Sequence, residues 1–159
     1  MAQAPQAKYR KDYQSPSHTI TDIELTFELH DTATLVTAVS QVQQLKESTT
    51  LALDGEGLIL KSLRVDQQQW TDYELVDGGL TIHQLPNACT LEIVTELNPE
   101  ANTALEGLYK SGGAYCTQCE AEGFRRITYY LDRPDVLAKY TTTVIADKAQ
   151  YPFLLSNGN

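Results

Sequence analysis

The stretch of this 159-residue chain with the most chemically active side chains is Cys116-Thr-Gln-Cys-Glu-Ala-Glu-Gly-Phe-Arg-Arg126. It brings two thiols, two carboxylates, one amide and two guanidinium groups together within eleven residues. The turn residues Gly112-Gly113 precede it and the aromatic run Ile127–Leu131 follows it, so we expect a polar loop between stiff strands. Because a rigid scaffold with polar loops is a common arrangement of functional sites, this stretch is the first candidate for a site.

Cys116 and Cys119 have the spacing of half a zinc site or of a redox pair. Structural zinc requires four ligands, however, and the remaining cysteine, Cys89, is isolated in the sequence. A thioredoxin-like pair would need a strand followed by a helix, which the flanking residues do not predict. Free thiols that are buried or half-buried are therefore favoured, and a thiol-based redox or metal module is a minor alternative. The three histidines lie beside turns or strand ends and are predicted to be surface residues: His18, His30 and His83.

Glu120 and Glu122 are two positions apart, so both side chains would share one face of a strand or point into one cavity from a loop. Such a pair could bind a cation or take part in acid–base chemistry. The alternative is a solvated edge at which Arg125 and Arg126 neutralise both acids. Spacing alone favours that alternative.

The composition excludes several classes of partner. With 21 acidic against 12 basic residues the formal charge is −9, which argues against nucleic acid and against an anionic membrane surface. No run of about 20 apolar residues occurs, and the first residues lack the apolar core of a secretory signal. Three cysteines, an odd number, do not make a disulfide framework. We therefore expect a soluble protein of the cytoplasm.

Alternating apolar and polar residues predict strands over Ile20–Leu29 and Cys89–Leu97, and Leu35–Val42 is expected to pair back on the first of these. Only Asp132–Lys139 suggests a helix, with Asp132 as its cap and Pro134 in its first turn. Shorter runs at strand spacing are Leu51–Leu53, Leu58–Val65, Trp70–Val76, Leu80–Leu85, Thr141–Ala146 and Phe153–Leu155.

These elements predict an all-β, mainly antiparallel fold, either a sandwich or a strongly curved sheet, with at most one short helix near residues 132–139. Residues 1–17 are expected to form an N-terminal arm that is either free or, as is favoured, docked by Tyr9 and Tyr13, and residues 18–159 a single β domain. Asn157-Gly158 is a hairpin signal without a return strand, so a further domain is expected to follow residue 159. The alternative is a stand-alone β-sandwich ligand-binding module that uses Trp70 and the nine tyrosines as a platform.

Five runs of residues resemble the N-terminal domain of the bacterial aminopeptidase N family, zinc alanyl aminopeptidases, in its Gram-negative form. They are Asn102–Tyr109, Cys116–Phe124, Ile127–Val136, Ala146–Lys148 and Tyr151–Gly158. The resemblance implies a saddle-like β domain that covers the active site of a following thermolysin-like domain, where zinc activates the water that attacks the first peptide bond. The family's zinc-binding His-Glu-x-x-His and its Gly-x-Met-x-Asn substrate motif are absent from this sequence.

From the same resemblance, this chain alone is expected neither to bind the catalytic zinc nor to hydrolyse peptides. Its partners would be its own catalytic domain and the N-terminus of a peptide substrate. Glu120 resembles the carboxylate that helps to bind the substrate's free α-amine, and Gln118 resembles the residue that lines the pocket for the first side chain. A non-proline cis peptide would fall at Glu120–Ala121, and Cys116, Cys119 and Ala121 would support the loop.

Overall fold

The computed structural model describes residues 9–158, and nearly all regular structure in this part of the chain is β. There is no α-helix among these residues, and therefore none long and apolar enough to cross a membrane. Two single 3-10 turns occur, at Arg10–Asp12 and Phe124–Arg126. The strands are β1 (His18–Glu28), β2 (Thr34–Gln44), β3 (Leu51–Asp54), β4 (Ile59–Val65), β5 (Gln68–Gln69), β6 (Tyr73–Val76), β7 (Gly79–Ile82), β8 (Ala88–Leu97), β9 (Gly107–Ser111), β10 (Ala114–Gln118) and β11 (Lys139–Ile145). The all-β prediction is confirmed.

A six-stranded sheet in the order β11-β1-β2-β8-β4-β5 forms the main layer. The predicted pairing of β1 with β2 is confirmed as an antiparallel ladder, in which Leu25 lies opposite Ala38. β2 pairs antiparallel with β8, and β8 with β4, whereas β11 is parallel to β1 at the edge. Ile23, Leu25 and Phe27 are buried at alternate positions of β1, as the sequence period requires.

Two smaller sheets complete the fold, a three-stranded one in the order β3-β7-β6 and the two-stranded hairpin β9-β10. Leu51 and Leu80 of the three-stranded sheet belong to the same buried cluster as Leu63 and Leu91 of the main sheet. Each of these side chains is almost fully buried, and such burial contributes about 1.5–3 kcal/mol per residue. The shared core therefore holds the two sheets together.

The segment between the last two strands differs from its prediction. Ile127–Leu131 forms only one bridge, in which the backbone N–H groups of Asp54 and Tyr130 donate to each other's carbonyl oxygens at 2.8 and 3.0 Å. Residues 132–138 contain one turn, at Pro134 and Asp135, and no helix, and Lys139 begins β11. Instead of capping a helix, the Asp132 carboxylate accepts from the backbone N–H and the Nε–H of Arg125.

Both ends of the described chain also test a prediction. Phe153–Leu155 is not a strand, and Phe153 and Leu155 are 87% and 93% exposed. At the other end, the hydroxyl of Tyr13 donates to Asp135 Oδ2 at 2.9 Å, so this part of the arm is docked. Tyr9 does not contribute in the same way, since its aromatic contact is with Lys11 of the same segment. The rest of the arm, residues 1–8, lies outside the described residues.

His18 is buried, with 1% of its surface exposed, so its prediction as a surface residue is wrong. Its Nδ1 lies 3.0 Å from Ser17 Oγ, while Nε2 is buried without a hydrogen-bond partner in the described part of the chain. Desolvation lowers the pKa of this imidazole because burial disfavours the charged form. Folding therefore favours the neutral ring.

We expect the free energy of unfolding to decrease as the pH falls below about 6.5, the ordinary pKa of histidine in the unfolded chain. Between that value and the lower pKa of the folded state, the unfolded chain binds one more proton, so the slope is at most about 1.4 kcal/mol per pH unit. Urea denaturation between pH 7.5 and pH 5 measures it. His18→Gln should flatten the slope and His30→Gln, at an exposed position, should not. An unchanged slope in His18→Gln would contradict this explanation.

Candidate functional site

The hairpin β9-β10 carries the candidate residues to one edge of the molecule. Gln118 is the last residue of β10 and lies opposite Gly107, the first residue of β9. The loop of residues 119–123 follows, and its backbone closes where the N–H of Gly123 donates to the carbonyl of Cys119 at 2.9 Å. The predicted polar loop is therefore present, with a strand before it and the 3-10 turn Phe124–Arg126 after it.

Two glycines allow the loop and the hairpin to approach each other closely. Gly107 has a φ of +68°, and a Cβ at this position would lie 2.6 Å from Arg126 Cβ. A Cβ on Gly123 would lie 2.6 Å from the carbonyl oxygen of Gln118. Both distances are too short for real side-chain contacts, so only glycine fits without displacing the backbone of the loop.

Glu120 lies in this loop with its side chain exposed. Its carboxylate has no hydrogen bond or ion pair with any residue of 9–158, while its backbone carbonyl accepts from Gln118 Nε2 at 3.5 Å. The peptide bond Glu120–Ala121 is cis, as the resemblance implies. Since this carboxylate has no counter-ion within residues 9–158, it is available to a cation from outside that part of the chain.

The neighbouring arginines are occupied by other acids. Arg125 Nε lies 2.9 Å from Asp132 Oδ2, and its terminal nitrogens lie 3.8 Å from Asp54 and 3.7 Å from Glu122. The expectation that these arginines neutralise both glutamates therefore holds for Glu122 and not for Glu120.

Arg126 lies against two further acids. Its side-chain nitrogens are 2.6 Å from Glu56 and 3.1 Å from Glu106. Its guanidinium therefore links β9 and its preceding loop to the turn that follows β3. Arg126, like Arg125, therefore forms ion pairs with acids other than Glu120.

Comparison with known proteins supplies the family. Residues 10–159 match the family described as the Peptidase M1 N-terminal domain. The chain belongs to this family. It is 59% identical over 160 residues to Aminopeptidase N of Escherichia coli and 52% identical over 157 residues to Aminopeptidase N of Haemophilus influenzae. These alignments cover 100% and 96% of this chain and 18% of each relative, so the chain spans less than a fifth of their length.

Solved structures agree with the family assignment. The crystal structure of Legionella pneumophila aminopeptidase A, in complex with aspartic acid, matches with a TM-score of 0.89 and 36% identity, over 95% of this chain and 18% of that one. An M1 zinc metallopeptidase from Deinococcus radiodurans matches with a TM-score of 0.69 over 80% of this chain and 32% of that one. At 16% identity, this second similarity shows the shared fold alone.

The cysteines of this M1 N-terminal domain are free thiols, as predicted. Cys89 is buried, and burial raises its pKa to about 11. Cys119 is half-buried against the core, and burial together with the nearby charge of Asp132 raises the pKa of its thiol. A protonated thiol is a poor nucleophile and a poor metal ligand. Within residues 9–158, no group of three or more His, Cys, Asp or Glu side chains could hold a metal ion.

Trp70 and the aromatic rings beside the candidate loop of the M1 N-terminal domain are packed against other residues. Trp70 is half-buried, and its Nε1–H donates to the carbonyl of His83 at 3.2 Å. Phe124 follows the candidate loop and packs edge-on against Tyr130 and Tyr140, with ring centroids 4.8 and 5.7 Å away. The contacts of Phe124 with these two rings support the candidate loop.

Sequence reasoning missed one residue that contacts the hairpin. Asp31 lies in the connection between β1 and β2, and its Oδ1 accepts hydrogen bonds from Lys110, Tyr115 and Tyr151. These partners are 79 to 120 positions away in the chain. No local pattern could have indicated them, because the contacts depend on the fold.

We expect Gly107→Ala to reduce the free energy of unfolding by about 2–5 kcal/mol, since it adds a steric overlap to the cost of a left-handed residue. Gly113→Ala is the matched control because Gly113 also has a positive φ, +86°, but open space around it. The control should cost about 1–2 kcal/mol. Urea denaturation of both variants measures the difference, and equal effects would show that the close approach at the loop is not limiting.

Proposed function

We propose that this chain is the N-terminal substrate-capping domain of a zinc aminopeptidase that removes N-terminal amino acids from peptides. Its membership of the M1 family and its identity to two proteins named Aminopeptidase N support this proposal. The chain corresponds to 18% of those relatives, which fits one domain of a larger enzyme. Its partners would be the catalytic domain of that enzyme and the peptide's N-terminus. The free thiols fit a reducing compartment, which we take to be the cytoplasm.

The observation that carries the proposal is the unpartnered carboxylate of Glu120. An aminopeptidase must recognise a terminal ammonium group, which is a compact cation with N–H donors. A carboxylate that accepts from such a donor makes a charge-assisted hydrogen bond worth about 1.5–3 kcal/mol. Because Arg125 and Arg126 are engaged elsewhere, no basic side chain of the stretch competes with the substrate for Glu120. The Legionella relative, solved with aspartic acid, has an amino acid as its ligand.

Gln118 is assigned to the pocket for the first side chain of the substrate. It is exposed at the end of β10, and its amide makes one long hydrogen bond, of 3.5 Å, to the backbone of Glu120. A neutral amide that can donate and accept suits a broad side-chain preference. Cys116, Cys119 and Ala121 support the loop and take no part in binding.

Zinc is assigned to the catalytic domain of the whole enzyme and not to this chain. The described residues do not fit such a metal, since they offer no cluster of three ligands and the Cys119 thiol is held in its protonated form. When bound in its own domain, the zinc would supply the activated water for hydrolysis. The role left to this chain is to hold and orient the substrate's amino end.

In the full-length enzyme we expect Glu120→Ala to lower kcat/KM by about tenfold to a thousandfold, which corresponds to about 1.5–4 kcal/mol of lost binding to the α-ammonium. Initial rates with an alanyl arylamide measure the effect. Glu122→Ala is the matched control because Glu122 is paired with Arg125, and it should change kcat/KM by less than about threefold. Unchanged kinetics in Glu120→Ala would remove Glu120 from the site.

The isolated 159-residue chain is expected to release no amino acid from an alanyl arylamide, with or without added zinc. The physical reason is that its described residues hold no metal-ligand cluster to activate water. The full-length enzyme at the same molar concentration serves as the positive control. Zinc-dependent turnover by the isolated chain at rates near those of the enzyme would refute the proposal.

A further inference from the structure

We propose that Asp31 is a positioning residue that fixes where the hairpin β9-β10 presents Gln118 and Glu120 to the substrate. This inference rests on the substrate-binding role proposed above for Glu120. The observation that carries it is the convergence of three hydrogen-bond donors, from two separate parts of the chain, on one carboxylate oxygen.

The hairpin needs such a contact because β9 and β10 pair only with each other. A two-stranded hairpin is at best marginally stable in water by itself, so its orientation depends on the side chains that attach it to the rest of the fold. At its loop end, Gly107 packs closely against Arg126. At its turn end, two contacts attach it: the backbone N–H of Lys110 donates to the carbonyl of Pro99 at 3.1 Å, and the side chains of Lys110 and Tyr115 donate to Asp31.

Asp31 contacts the turn end through a cross-strand pair. Lys110 and Tyr115 lie opposite each other in the hairpin. Lys110 Nζ is 2.7 Å from Asp31 Oδ1, and the hydroxyl of Tyr115 donates to the same oxygen at 2.8 Å. The hydrogen bond to Asp31 is also the chief cause that raises the pKa of Lys110, so this ammonium group stays charged. Both strands of the hairpin are therefore fixed by one group.

Asp31 is itself rigidly mounted in the connection between β1 and β2, two long strands of the main sheet. One residue before it, the backbone N–H of His30 donates to Thr34 Oγ1 at 3.0 Å, and the Thr34 hydroxyl donates back to the carbonyl of His30 at 2.6 Å. Thr34 is fully buried. The connection is therefore closed by its own hydrogen bonds, and it can serve as a fixed point for the hairpin.

The third donor joins the chain after β11 to the same point. The hydroxyl of Tyr151 donates to Asp31 Oδ1 at 3.1 Å, and its ring lies against that of Tyr115 with centroids 5.0 Å apart. The segment before it is ordered by Asp147, whose Oδ1 accepts from the backbone N–H groups of Ala149 and Gln150 at 2.8 and 2.9 Å. Asp31 thus connects the hairpin to the end of the main sheet at which the parallel strands β1 and β11 both finish.

We expect Asp31 to contribute more to the position of the hairpin than to the stability of the fold. Its side chain is 50% exposed, so solvent screens its ion pair with Lys110. Tyr115, however, lies three residues from Gln118 in the same strand, or about 10 Å along it. A shift of about 1 Å in a binding group can lower an enzyme's rate about a hundredfold. Small movements of the turn end would therefore change the position of Glu120.

The test is a double-mutant cycle in the full-length enzyme, with kcat and KM measured on an alanyl arylamide. Asp31→Ala should lower kcat/KM about tenfold when Glu120 is present. In the Glu120→Ala background it should lower kcat/KM less than about twofold, because the charged group that Asp31 positions is gone and only the neutral Gln118 remains. Tyr115→Phe should act in the same direction with a smaller effect. Asp22→Ala is the control, since Asp22 is an exposed strand residue of β1 whose side chain has no partner among residues 9–158.

An equal loss from Asp31→Ala in both backgrounds would overturn the inference, because it would show a general effect on stability. No loss in Asp31→Ala would overturn it as well. If Glu120→Ala alone leaves kcat/KM unchanged, the proposed binding role of Glu120 fails and this inference fails with it. Should Asp31→Ala not fold, as judged by circular dichroism, Tyr115→Phe takes its place in the cycle, with the same outcomes deciding.

Discussion

The ion pairs of Arg125 organise the region around the candidate site. Its side chain is largely buried, and a buried charge is stable only when its hydrogen-bonding groups are paired. The Asp132 carboxylate accepts from the Nε–H and the backbone N–H of Arg125, and its backbone carbonyl accepts from a terminal nitrogen of the guanidinium. The guanidinium also lies near Asp54, at the end of β3, and near Glu122 of the loop. One guanidinium therefore joins the loop, the three-stranded sheet and the segment before β11. The same pairing leaves the Glu120 carboxylate without a counter-ion among residues 9–158.

The long strands could be predicted because their side chains alternate along a half-buried sheet. β1, β2 and β8 follow this pattern closely, but a bulge between Ile20 and Asp22 shifts the phase of β1, so the period of Ile23, Leu25 and Phe27 does not extend to His18. The short elements could not be predicted in the same way. Whether Asp132 caps a helix or accepts from Arg125 is decided by contacts between segments, and no local period records them.

In the candidate site, too, the sequence predicts features that depend on neighbouring residues, but not contacts between distant segments. By their spacing alone, Glu120 and Glu122 are equivalent candidates for a cation-binding role. The resemblance to the aminopeptidase N family assigns such a role to Glu120 only. The structure supplies a physical difference, since Glu122 lies 3.7 Å from Arg125 while Glu120 has no partner among the described residues. A glycine at position 107 or 123 suggests a turn or a close approach of the backbone, but the contacts with Arg126 and Gln118 are evident only from the structure.

The parallel pairing of β11 with β1 also has a consequence for the order of synthesis. β1 ends at Glu28, and its edge partner begins at Lys139, more than a hundred residues later. At about 5–20 residues per second, a ribosome takes several seconds to make the intervening chain. During that interval β1 can already pair with β2 on one side, while its other edge carries unsatisfied backbone groups. The nascent protein must therefore pass through a period in which this edge is open to pairing with other chains.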